Sequence, residues 1–200
     1  MALYIDLLDN LDIFFHQPGL ATPQLAQFVD RTQKLNALHE AHIHFHNSGV
    51  FVSLSGTRLR VLEVEIMRVP SHSSAMAQLC HSLRPLIPTI KHLYIIDRRR
   101  RRPGLFVPDV ADSSQWLDIL GPFITVEDLS LSWELLPHIV PALHKIIEEG
   151  TVEVLPSLQN LLLERESRYG HVEGAIEQLV AALHLSSRPI SVLRWDSGLS

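Results

Sequence analysis

The sequence predicts an α/β solenoid, a curved and mainly parallel sheet of about seven strands with helices on its convex side. Three observations predict it. A short apolar pattern recurs at a nearly constant step. Most segments between its copies carry apolar residues at helical spacing. No glycine-rich phosphate turn follows a strand, which argues against a doubly wound nucleotide-binding sheet.

The recurring pattern is apolar-x-x-apolar-x-apolar. It reads Leu8, Leu11, Ile13; Leu38, Ala41, Ile43; Leu59, Leu62, Val64; Ile90, Leu93, Ile95; Val126, Leu129, Leu131; Leu158, Leu161, Leu163; and Ile190, Leu193, Trp195. The first positions lie 30, 21, 31, 36, 32 and 32 residues apart. Each copy ends in strict alternation, the mark of a strand buried on one face. A step of about 30 is that of stacked strand-plus-helix units.

The intervening helices follow in order. Thr22 caps a helix with Pro23 at its first position, running to about Thr32, with Leu25, Phe28 and Val29 inward. Ser73–Leu83 carries Met76, Leu79, Cys80 and Leu83 on one stripe. Ser113 caps a short helix bearing Trp116, Leu117 and Leu120. Leu135–Glu149 has the widest stripe, from Leu136 to Ile147, and Gly150 to stop it. Pro141 is expected to kink or split it. Val172–Leu185 repeats the pattern. The interval between Leu38 and Leu59 is too short for a helix, and Val50–Leu54 there suggests an extra strand or a strand-only crossover. Strands alternating with helices imply parallel pairing through right-handed crossovers. No linker divides residues 1–200, so one domain is expected.

Composition bounds the function classes. The chain has 200 residues, 46% of them hydrophobic and 20% charged, as in a folded protein, and its formal net charge of −5 argues against nucleic acid as a partner. A single cysteine, Cys80, excludes an internal disulfide framework. No apolar run approaches the roughly 20 residues that span a bilayer, so no membrane partner is expected. Met1–Leu8 has no signal-peptide pattern. The expected compartment is cytoplasm or nucleus.

The C-terminal half carries a further pattern. Gln115–Leu120 is followed by Pro122-Phe123 and then Val126–Leu131. Later come Pro137, Ile139, Pro141–Leu143 and Glu153–Asn160, and the chain closes with Pro189–Val192 and Arg194–Asp196. This resembles the C-terminal, leucine-rich-repeat-like region of fungal F-box-like proteins, most densely over 113–196. The resemblance implies a target-binding repeat region. In that family an N-terminal F-box module binds the adaptor of a cullin-type ubiquitin ligase. Met1–Phe15 reads as the first repeat strand, so only the target-binding half is resembled, and the adaptor is a partner only if an F-box lies upstream. The asparagine ladder usual in leucine-rich repeats is absent, with His16, His46, Met67, Arg98, Glu134, Glu166 and Gly198 in its row, so an irregular solenoid is expected.

The 12 histidines are the main chemical signal. His42, His44 and His46 alternate onto one face of a strand, opposite Ala41, Ile43 and Phe45. Histidines two apart on a strand can ligate zinc. They equally suit a polar outward face. Aligning the repeats gives one outward row of Asp12, His42, Glu63, Tyr94, Ser130, Leu162 and Arg194. A second reads Phe14, His44, Glu65, Ile96, Ser132, Glu164 and Asp196. With strands neighbouring in sequence order, His42 would lie between Asp12 and Glu63, where a carboxylate raises a histidine pKa. The concave candidates are Asp12, His42, His44, Glu63, Glu65, His92, Tyr94, Asp128 and Ser130.

Arg98–Arg102 forms a run of arginines before Pro103. Such a run reads as a phosphate-binding or localisation patch, or as a solvated loop. It lacks the interleaved aromatics of a nucleic-acid surface. Cys80 sits on an apolar stripe, as a core residue does. No nucleophile elbow, zincin or C-x-x-C motif occurs. Glu148 and Glu149 merely end a helix, where carboxylates are unfavourable. Trp116 and Trp195 are expected to pack, and Trp133 to be partly exposed. The sequence therefore points to a non-enzymatic protein-recognition scaffold with no cofactor and an unknown protein target. The alternative is a metal- or phosphate-binding α/β domain using His42, His44 and His46 or the arginine loop.

Overall fold

The computed structural model describes residues 11–15, 25–29, 31, 38–56, 60–67, 69, 71–98, 113–149, 154–164, 174, 176–178, 180–181 and 190–195. Its strands are β1 (Leu11–Phe15), β2 (Leu38–His46), β3 (Gly49–Gly56), β4 (Arg60–Met67), β5 (His92–Asp97), β6 (Asp128–Leu131), β7 (Asn160–Glu164) and β8 (Ser191–Trp195). The helices are α1 (25–29), α2 (His72–Ser82), α3 (Ser113–Leu120) and α4 (Leu136–Glu149). Residues 174, 176–178, 180 and 181 are also helical.

All seven expected strands form, and an eighth, β3, is added. The sheet order is β1-β4-β3-β2-β5-β6-β7-β8. It is mixed and not mainly parallel: β2–β3 and β3–β4 are antiparallel, the other pairs parallel. The short step from Leu38 to Leu59 is the cause. It leaves no room for the crossover that parallel pairing requires, so the chain reverses through a tight turn at Asn47 and Ser48. Two reversals restore the original direction, and β4 therefore pairs in parallel with β1.

Gly49 lies where β3 runs hard against the β4 backbone. A Cβ there would collide with the Ile66 carbonyl oxygen, so only glycine lets β3 approach β4 at its first residue.

From β2 onward the units stack regularly. Lys91 N donates to His39 O, Glu127 N to Lys91 O, Gln159 N to Glu127 O and Ser191 N to Gln159 O, at 2.7–2.8 Å. An equivalent backbone bond thus recurs at the start of successive strands, one residue later at β8. A helix occupies each interval, and α2 packs on α3, and α3 on α4.

One face of the sheet is the core. A buried row runs Leu62, Leu54, Ala41, Leu93, Leu129, Leu161 across six strands. Met76, Leu79 and Cys80 of α2, Trp116, Ile119 and Leu120 of α3, and Leu136, Ile139 and Val140 of α4 close over it. Each such leucine or isoleucine contributes about 1.5–3 kcal/mol on burial. Ser71 caps α2, its hydroxyl accepting from Ser74 N at 3.2 Å. α4 continues through Pro141 and is not split.

The last copy slips by one residue from the expected frame. Val192 pairs with Leu161 and Arg194 with Leu163, while Leu193 aligns with Leu162 and is 51% exposed. Ile190 still packs against the core, but Leu193 and Trp195 do not mark the core face. In a strand, a one-residue shift exchanges the two faces. Leu8, Thr22, Pro23, Leu59, Gly150 and Asp196 lie outside the described residues.

Candidate functional site

The opposite face is polar and half-buried, and the strand registers turn it into three rows. The first runs Ser55, Glu40, His92, Asp128, Asn160, Ser191. The second runs Asp12, Glu63, Ser53, His42, Tyr94, Ser130, Leu162, Leu193. The third runs Phe14, Glu65, Phe51, His44, Ile96.

The second row corrects an expectation. Asp12 does face Glu63, but β3 intervenes between Glu63 and His42. His42 is flanked by Ser53 and Tyr94, not by two carboxylates. Arg194, expected in this row, aligns instead with the core-face Leu163.

Side-chain size shapes the site. On β3 the outward residues Ser53 and Ser55 are short and nearly buried. The longer His42, His44 and His46 stand on the β2 side, Glu65 on the β4 side, and Phe51 lies along β3. The result is a groove of about 540 Å³, lined also by Glu40, Gly56 and Arg98.

Along β2 the rings form a ladder. His42 and His44 are stacked, centroids 6.2 Å apart and 14° from parallel. His44 and His46 follow at 6.0 Å. His42 lies on Tyr94 at 4.3 Å and 7°, and His44 is 5.6 Å from Phe51. Alternation along a strand produces this spacing, since side chains two apart share a face.

Glu40 anchors one end. Its carboxylate accepts from Ser55 Oγ at 2.9 Å and lies 3.5 Å from His42 Nε2. Burial works to raise its pKa, but the bonds and the His42 charge outweigh it and hold the carboxyl below its usual range. Burial, followed by the Glu40 charge and hydrogen bond, pushes the Tyr94 phenol up.

Asp128 centres a second cluster. Its carboxylate meets His92 Nδ1 at 2.7 Å and accepts from Asn160 Nδ2 at 2.6 Å, tying β5, β6 and β7 together. His39 meets His92 edge-on at 6.2 Å. Ser130 is buried beside Tyr94 and contributes little surface.

Of the sequence candidates, the fold gathers His42, His44, His46 and Glu65 around one groove, with Glu63 and Tyr94 beside it. Arg98 joins them, and Arg99, Arg100, Arg101 and Arg102 lie outside the described residues. Among the described residues no group of three His, Cys, Asp or Glu side chains is placed to hold a metal ion. Sequence reasoning missed Glu40, Phe51, Ser53, Ser55 and Asn160. The alternation of β3, Phe51-x-Ser53-x-Ser55, was the available signal for three of them. Cys80 is a core residue, with its thiol pushed up to about 12 by burial. Trp116 is buried and Trp133 partly so.

No protein-family model, curated protein or solved structure matches the chain. Among the described residues, no helix is long and apolar enough to cross a membrane.

Proposed function

We propose that the protein is a non-enzymatic recognition scaffold that binds a partner protein on the open face of its sheet. The observation that carries this reading is the groove over β2, β3 and β4. Serines make its floor, and histidines, Phe51, Glu40 and Glu65 surround it. Polar side chains mixed with aromatic faces, on a sheet whose other face is core, suit contact with a partner.

The finer fold reading belongs with this function. We infer that β2 and β5–β8 form a leucine-rich-repeat-like solenoid arm. The backbone bond recurring at the start of these strands and the step of about 30 residues support it. The resemblance of residues 113–196 to fungal F-box-like proteins supports a role as the target-binding part of a ligase receptor. A ligase adaptor would then be engaged only through a separate F-box module.

Site-specific crosslinking tests the reading. A photoreactive residue at Phe51 should capture a discrete protein in the source cell. The same residue at exposed His81 on α2 should not, and Glu65→Arg should abolish capture from Phe51. Equal capture from both positions, or capture unaffected by Glu65→Arg, would overturn it.

A further inference from the structure

We propose that the groove takes a cationic, extended segment of the partner, bearing lysine or arginine, and that protonation of the His42–His44–His46 row ejects it. This deepens the recognition reading and rests on it.

Spacing is the first argument. Ring centroids along the row are 6.0–6.2 Å apart. Side chains on one face of an extended chain repeat at about 6.6 Å. A strand-like segment lying along β2 can therefore place successive side chains against successive rings.

Charge is the second. With neutral histidines the groove presents Glu40 and Glu65 against Arg98 at one end. The row beside it continues the negative sign through Glu63 and Asp12. Phe51 adds an aromatic ring to the lining, and ring faces attract ammonium and guanidinium groups.

The switch follows from what faces the ladder. From β1 come Asp12 and Phe14, from β3 Phe51, Ser53 and Ser55, and from β4 Glu63 and Glu65. From β5 come His92, Tyr94 and Ile96, with Arg98 just after it, from β6 Asp128 and Ser130, and from α2 His72, whose Nε2 lies 2.8 Å from the His46 carbonyl oxygen. Histidine is the side chain that changes charge between pH 5 and 8, whereas carboxylates and lysine amines as classes keep theirs above pH 5.5. Positive charge added on this row, beside Arg98, offsets Glu40 and Glu65 and makes the groove less favourable to a cation.

The test uses fluorescence anisotropy at fixed 0.15 M salt with the full chain. The probes are a labelled nonapeptide alternating lysine and valine, and a glutamate–valine counterpart. At pH 7.5 the lysine probe should bind and the glutamate probe should not. At pH 5.5 the dissociation constant of the lysine probe should rise at least tenfold. In His42→Gln/His44→Gln/His46→Gln the change should stay within twofold. His44→Gln alone should reduce it measurably, which keeps the test informative should the triple variant not fold. Circular dichroism at both pH values verifies folding. Absence of lysine-probe binding at pH 7.5, or stronger glutamate-probe binding there, overturns the cationic occupant. Binding with no pH dependence overturns the switch. Both results leave the crosslinking test of recognition standing on its own.

Discussion

His42 lies flat against Tyr94, centroids 4.3 Å apart and 7° from parallel. The contact exists because β2 pairs in parallel with β5, which follows it by some 50 residues in sequence but is its neighbour in space. It joins the antiparallel part of the sheet to the stacked units.

Removing that contact should weaken this junction. Tyr94→Ala should lose the stacking, worth about 0.5–1.5 kcal/mol, along with the phenol's buried area. Tyr94→Phe should retain most of it. A double-mutant cycle with His42→Ala, read by urea unfolding, should give a coupling of at least about 0.5 kcal/mol.

Gly49→Ala should be among the more damaging single-methyl additions. The new Cβ meets backbone and not a yielding side chain. Overpacking of this kind costs about 1–3 kcal/mol. At this chain length each kcal/mol lowers the melting temperature by roughly 2–4 °C. An unchanged melting temperature would show that β3 and β4 do not meet as described.

Cys80 should be silent in the native state. Its thiol is buried, with Sγ 3.8 Å from the Ile119 carbonyl oxygen, and its pKa stands at about 12. Only the thiolate reacts with disulfide reagents. At pH 8 labelling should be slow until denaturant unfolds the chain. Because the folded pKa is raised, the associated stabilisation is present below the ordinary thiol range. It is lost as pH climbs from about 9 towards 12.

Glu40 should carry part of the acid sensitivity. Its folded pKa is depressed, so its contribution is present above the unfolded value of 4.5 and lost as pH falls through the folded one. Glu40→Gln should flatten the pH dependence of the urea midpoint below pH 4.5. Ser55→Ala, which removes the 2.9 Å bond to the carboxylate, should shift the same titration upward. Glu134 has the opposite sign: burial raises its pKa, with help from the Glu164 and Asp97 charges. Glu134→Gln should therefore stabilise the protein slightly at neutral pH.

Asp128→Ala should loosen the β5–β6–β7 junction by about 1–2 kcal/mol, since it leaves His92 and Asn160 without their shared acceptor. Asp128→Asn should recover part of the loss. Hydrogen exchange at Leu129 and Leu161 is the local readout.

The strands were legible because inward leucines and isoleucines repeat at a fixed step. Ala41, Leu93, Leu129 and Leu161 fall in one buried row as aligned. Strand order was less legible, because apolar alternation specifies a face and not a neighbour. The extra strand was visible at Val50–Leu54. Its effect on adjacency, moving Glu63 away from His42 and next to Asp12, depends on a hairpin whose pairing no periodicity encodes. In β8 the apolar residues Leu193 and Trp195 suggested the wrong face. A short strand at the end of the sheet has fewer buried neighbours to fix its register. The histidine face was legible from alternation alone. The groove was not, since it arises where short serines on one strand meet long side chains on two others.

The most direct test of the account is an amide chemical-shift map of the full chain at pH 7.5 with the lysine–valine nonapeptide. The account predicts shifts concentrated at Glu40, His44, Phe51, Ser53 and Glu65, with α2, α3 and α4 unmoved. Shifts centred on the helices, or no shifts at millimolar peptide, would contradict it.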